Sequence, residues 1–233
     1  MPALVEVADS SVIAEALSVR APDLLGFARQ VAGDSELVLA AMDALGSATP
    51  RVRFAASRLL RIVSENSPAG LYPHFDFFVR LLRDKNSILR WNAMLTLGHL
   101  AAADHQKKLD AILDSYLVPI SGKNLMDATN TIRGAATIAR AKPYLADRIA
   151  KTILAVEKAR YATPECRNVA IGHAIHALDE FFPLLQDQRA VLSFVKRQGK
   201  NARRSTRNKA RKFLAKCQAT PGQTAPCELS DSY

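Results

Sequence analysis

An all-α fold, a right-handed superhelical solenoid of about five to six stacked antiparallel helix pairs, follows from three features of the sequence. The first is composition. Alanine occupies 38 of 233 positions while aromatic residues make up only 6%, and alanine favours helix because it loses no side-chain entropy there. The second is an arginine followed three places later by alanine, which recurs five times along the chain. The third is a helix-start residue shortly before each of those pairs.

The recurrent pairs are Arg53/Ala56, Arg90/Ala93, Arg133/Ala136, Arg167/Ala170 and Arg207/Ala210, spaced 37, 43, 34 and 40 residues apart. Helical-pair repeats run to roughly 34–47 residues, so each interval holds one pair. The start signals are Thr49-Pro50, Asn86-Ser87, Asp127, Thr163-Pro164 and Ser205. Short polar side chains satisfy the orphan N–H groups of a first turn, and proline fits the first helical position because its missing N–H would go unpaired there. These signals open the second helix of each pair.

The first helices are predicted over Leu71–Leu82, Lys108–Leu117, Tyr144–Val156 and Leu184–Val195. In the third of these, Leu145, Ile149, Ile153 and Val156 fall on one helical face, which must be hidden against a neighbour. The expected organisation is an N-terminal arm or capping helix over 1–20, a repeat domain over 21–217, and a disordered tail over 218–233. That tail carries prolines and a glycine without helical periodicity.

On these residues the pattern resembles HEAT repeats, an armadillo-like solenoid family. Such repeats place an aspartate at the turn within the pair and an arginine in the second helix. Asp84 with Arg90 and Asp127 with Arg133 match both positions, whereas the other units carry Ser47, Tyr161 or Asn201 at the acidic one. The resemblance implies that Asp84, Arg90, Asp127 and Arg133 form a structural ladder between units. It also implies a non-enzymatic scaffold that binds a protein partner through a concave face built from second helices, with Arg51, Arg58 and Asn92 as candidate contact residues.

Charge suggests an alternative. The formal net charge is +10, and residues 196–216 hold ten Lys or Arg with no Asp or Glu, which leaves the rest of the chain with 22 basic residues against 22 acidic ones. Ala210, Phe213, Leu214 and Cys217 would dock this last helix while Arg203, Arg204, Arg207 and Arg211 face outward. A cationic end serves either as the polar cap a solenoid needs or as an electrostatic site for nucleic acid. Phe213 is the lone aromatic there and is expected in the core, which argues against base stacking.

Catalysis finds little support. Neither a glycine-rich phosphate loop nor a Gly-x-Ser-x-Gly elbow is present. His173, His176 and Glu180 share a helical face but lack an obvious fourth ligand, so no metal and no cofactor is expected. Some HEAT-like solenoids are alkylpurine DNA glycosylases, which use several aromatic residues and an aspartate in a basic groove. Here Trp91 is the single tryptophan, and the first acid after it is Asp104. Three widely spaced cysteines, no apolar run near 20 residues and no basic leader point to a cytoplasmic protein.

Overall fold

The structure, a computed structural model, describes residues 10–20 and 22–219. The helices are α1 (Ser10–Ser18), α2 (Leu24–Val31), α3 (Ser35–Asp43), α4 (Pro50–Asn66), α5 (Pro68–Leu71), α6 (Phe75–Leu81), α7 (Ser87–Leu100), α8 (Lys108–Leu117), α9 (Leu125–Ala141), α10 (Ala146–Leu154), α11 (Pro164–Phe181), α12 (Arg189–Gln198) and α13 (Arg204–Ala219). Among the described residues there is no strand. Residues 1–9 of the expected N-terminal arm and residues 220–233 of the expected tail lie outside the described set; Gln218 and Ala219 continue α13.

Sequence chemistry explains most of the boundaries. Asn86 accepts from Ile88 N and Leu89 N, and Asn124 accepts from Met126 N and Asp127 N. Thr163 Oγ1 accepts from Cys166 N, and Pro50 and Pro164 occupy first helical positions. The predicted helix over Leu71–Leu82 is instead broken: Pro68 opens α5, and Pro73 forces the 3-10 turn Tyr72–His74 before α6. Proline tolerates the first turn of a helix but cannot donate within it. Pro143 likewise sits in the 3-10 turn Pro143–Leu145, so that α10 starts only at Ala146. Pro183 lies in the turn Phe182–Leu184, and α12 then runs from Arg189 to Gln198.

The repeat register differs from the arginine spacing. The long second helices α4, α7, α9, α11 and α13 begin 37, 38, 39 and 40 residues apart. Asp127 does not open its helix; Asn124 caps it and Asp127 is the third helical residue. The fourth residue of each second helix is therefore Arg53, Arg90, Ala128, Arg167 and Arg207, and Arg133 lies five residues further on, at the ninth. Alanine is so common in α9 that Arg133/Ala136 imitates the repeat out of phase.

Two rows result. The second helices pack side by side in the order α2, α4, α7, α9, α11, α13, while neighbouring first helices approach one another much less. The more closely packed row must be the inside of any curve, because a shorter spacing on one side bends the array toward it. Small residues permit that approach. A methyl group on Gly98 would stand 2.9 Å from both Cα and O of Gly134, and one on Gly172 would stand 2.9 Å from Thr206 Oγ1.

Polar seams flank the apolar core on both sides. In the turns within pairs, arginine at the fourth position reaches back to loop carbonyls: Arg53 to Ser47 O at 3.1 Å, Arg90 to Asp84 O at 2.8 Å, Arg207 to Asn201 O at 2.7 Å. In the loops between units, the Lys142 ammonium lies 2.8 Å from both Asp104 and Asp110. Tyr72 donates to Asp104 at 2.7 Å, and Tyr144 donates to Asp110 at 2.9 Å. This second seam ties three successive units together.

Candidate functional site

A binding face on a solenoid consists of side chains that the packing of neighbouring helices leaves unspent. The second-helix row supplies such a face at the ninth position, occupied by Arg58, Leu95, Arg133 and Lys212 on α4, α7, α9 and α13; the ninth residue of α11, Gly172, is buried beside Thr206. Arg58, Arg133 and Lys212 are exposed and Leu95 is half-exposed. Arg133, misassigned by sequence to the ladder, is thus equivalent to Arg58.

Arg61, on α4 three residues after Arg58, feels the charge of both arginines. Its side chain is 22% exposed and 3.5 Å from Glu65. Burial and then the like charges of Arg58 and Arg133 depress its pKa, against the opposing pull of Glu65. His99, half-buried, shares a 3.0 Å hydrogen bond with Ser64 Oγ and senses Glu65, Arg61 and Arg140; burial lowers its pKa. His173 is lowered by burial, then by Lys209 and Arg133. Arg140 pairs with Glu180 at 3.4 Å. Among the described residues, Arg58 and Arg133 have no carboxylate within ion-pair distance.

The other candidates are partly spent. Arg51 donates to Ser18 O at the end of α1 (3.2 Å), and Asn92 donates to Ser57 Oγ and Ile88 O (3.0 Å each), bridging α4 and α7 beside a small internal cavity. Arg51 is exposed and Asn92 half-buried, and each spends a donor within the protein. Asp84 accepts from Asn86 N at 2.7 Å and meets Arg90 through its main-chain carbonyl. Asp127 accepts from Arg90 of the preceding unit at 3.3 Å and from Trp91 Nε1 at 2.6 Å. The acid that sequence did not place near Trp91 thus comes from the following unit, and the two are committed to each other.

The basic terminal segment is also less free than its composition suggests. Arg197 makes a bidentate pair with Glu157 (3.0 and 2.8 Å), Arg203 pairs with Glu165, Lys216 with Asp179, Arg207 binds loop carbonyls, and Lys209 donates to Gly172 O at 3.1 Å. Arg204, Arg211, Lys212, Lys196 and Lys200 are exposed. Phe213 is buried against Phe182, as its place in the apolar stripe predicts.

His176 Nε2 is 3.8 Å from Glu180, and no group of three His, Cys, Asp or Glu side chains suited to a metal ion occurs among the described residues. Cys166 and Cys217 are free thiols. No helix among the described residues is long and apolar enough to cross a membrane.

No family model matches the sequence, and no curated protein matches it. The fold does have solved counterparts. A designed armadillo repeat protein, determined in complex with the peptide (KR)4, superposes with a TM-score of 0.50 at 15% identity, covering 89% of this chain and 99% of the designed one. An engineered protein from a structural genomics consortium covers 91% of this chain and 97% of its own, with a TM-score of 0.48 and 12% identity.

Proposed function

We propose that this chain, a HEAT/armadillo-like helical repeat, is a non-enzymatic scaffold that holds a segment of a partner protein along its row of second helices. The observation that carries the reading is the ninth-position stripe: Arg58, Leu95 and Arg133 stand at equivalent places on three successive second helices, Lys212 repeats the position on α13, and all four lie outside the core. Stacked repeats present extended faces suited to polypeptide segments. The designed armadillo repeat protein supports the reading because it was determined with a peptide, although that peptide is basic. Free thiols at Cys166 and Cys217 suit a reducing cytoplasm.

Nucleic-acid binding through residues 196–216 is less favoured, because Arg197, Arg203, Arg207, Lys209 and Lys216 are held by contacts within the protein. A photo-reactive residue at Leu95 tests the scaffold reading against the same residue at Ala111, which is exposed on the first-helix row. Position 95 should cross-link a protein whose purified form then binds the purified chain. Equal cross-linking from both positions would refute the assignment.

A further inference from the structure

We infer that the segment held by this face is acidic, with carboxylates about six residues apart and an apolar side chain midway; this rests on the scaffold reading and specifies its ligand. The face carries more positive charge than its own acids offset. Glu65 and Glu180 are taken by Arg61 and Arg140, while Arg58 and Arg133 stand exposed at the ninth positions of α4 and α9 with no carboxylate within ion-pair distance among the described residues. Exposed cations without carboxylate partners attract an anionic guest, and such a field also speeds its arrival.

The spacing follows from helix packing. Arg58 and Arg133 lie two helices apart with half-exposed Leu95 between them. Packed helices are about 8–10 Å from axis to axis, and an extended chain advances about 3.3 Å per residue. A segment crossing the row therefore passes one helix in about three residues. An acid over Arg58 places its fourth residue over Leu95 and its seventh over Arg133.

A polypeptide suits this face better than nucleic acid. Single-stranded nucleic acid draws much of its binding from bases stacked on aromatic rings. None of the ninth-position side chains Arg58, Leu95, Arg133 and Lys212 is aromatic, and Trp91, one turn before Leu95, spends its N–H on Asp127.

The test is fluorescence anisotropy at about 50 mM salt, where screening leaves such pairs measurable. The probe is labelled Glu-Glu-Ser-Ser-Leu-Ser-Ser-Glu-Glu, with its Gln counterpart, a Lys-Arg peptide and an oligothymidine of equal charge as comparisons. The acidic probe should bind at least about tenfold more tightly than its Gln counterpart. Arg58→Glu and Arg133→Glu, both exposed and checked for helicity by circular dichroism, should each weaken it by about tenfold. Arg204→Gln with Arg211→Gln should leave it within about twofold. Absence of binding by the acidic probe would overturn the inference, as would tighter binding of oligothymidine or loss confined to the α13 variant. A partner cross-linked at Leu95 through a neutral or basic segment would overturn it too, yet leave the scaffold reading standing.

Discussion

Replacing Gly134 with alanine tests the close approach that bends the array. The new methyl would fall inside contact distance of Tyr116 Oη and 2.8 Å from Met94 O, and Tyr116 itself donates to Met94 O at 2.8 Å. Either the tyrosine moves and forfeits that buried hydrogen bond, at about 1–3 kcal/mol, or α9 shifts and the core is overpacked, at about 1–3 kcal/mol. Relief of the glycine helix penalty returns about 1 kcal/mol. With either cost in the middle or upper part of its range the net loss is about 1–2 kcal/mol, a fall in Tm of roughly 2–8 °C for a domain of this size. Tyr116→Phe removes the obstructing oxygen, so the alanine should cost about 1 kcal/mol less in that background, a coupling that a double-mutant cycle resolves. Denaturant unfolding followed by circular dichroism and by the emission of Trp91 measures both. If Gly134→Ala is neutral, or costs the same with and without the Tyr116 hydroxyl, glycine contact is not what sets the spacing of α7 and α9.

Other contacts yield sharper individual tests. Lys142→Met strands the Asp104 carboxylate, whose side chain is fully buried beside a lysine only 6% exposed; breaking such a pair costs about 3–5 kcal/mol, and the remaining donors Tyr72, Lys108 N and Leu109 N keep it near the lower end. Burial opposes the Asp104 charge, but the donors outweigh it and hold the carboxyl below its usual range; Lys142 is raised by its carboxylates against its own burial. The contribution of Asp104 is therefore present above the unfolded carboxylate pKa of about 3.9 and lost as pH falls through the depressed folded value, while that of Lys142 is lost only above about pH 10. The gap between wild type and Lys142→Met in urea melts should be constant from about pH 5 to 10 and close in acid, where the stranded carboxyl takes up a proton. Asp127→Leu should shift the emission of Trp91, the sole tryptophan, because both its indole partner and that of Arg90 disappear; an unchanged spectrum would contradict the geometry. Asn124→Ala should cost about 1 kcal/mol in thermal melts as a lost N-cap, and no loss would mean that the helix starts elsewhere.

The architecture was legible because each level of the sequence points the same way. Alanine content, caps at Asn86 and Thr163, and prolines at positions 50 and 164 all mark long second helices, and those are where expectation and structure agree. The first helices were read less well, since a prolyl residue inside an apolar stretch is compatible with several breaks; Pro73 and Pro183 create 3-10 turns where periodicity alone continues a helix. Register failed at one unit for a different reason. In α9 an arginine precedes alanine by three places at the ninth position while the fourth position is Ala128, so a local pattern satisfied the repeat without occupying it. The N-cap was the better ruler, because it reports where backbone N–H groups need partners, whereas Arg-x-x-Ala reports only composition.

That slip also explains why the candidate face was only partly visible. Sequence counting places the whole charge excess in residues 196–216, but a count along the chain cannot say which cations will find carboxylates or carbonyls once helices stack. Folding commits Arg197, Arg203 and Arg207 to internal partners and leaves Arg58 and Arg133 exposed at the ninth positions of α4 and α9. The segment with the largest nominal charge consequently loses much of its free charge. A stretch that looks neutral by addition keeps exposed positive charge at Arg58 and Arg133, because the nearby acids Glu65 and Glu180 pair with Arg61 and Arg140. In a stacked array the property that selects a partner is the periodicity of unspent charge at one helical position, here the ninth, and it becomes readable only after the cap of each helix has fixed the phase.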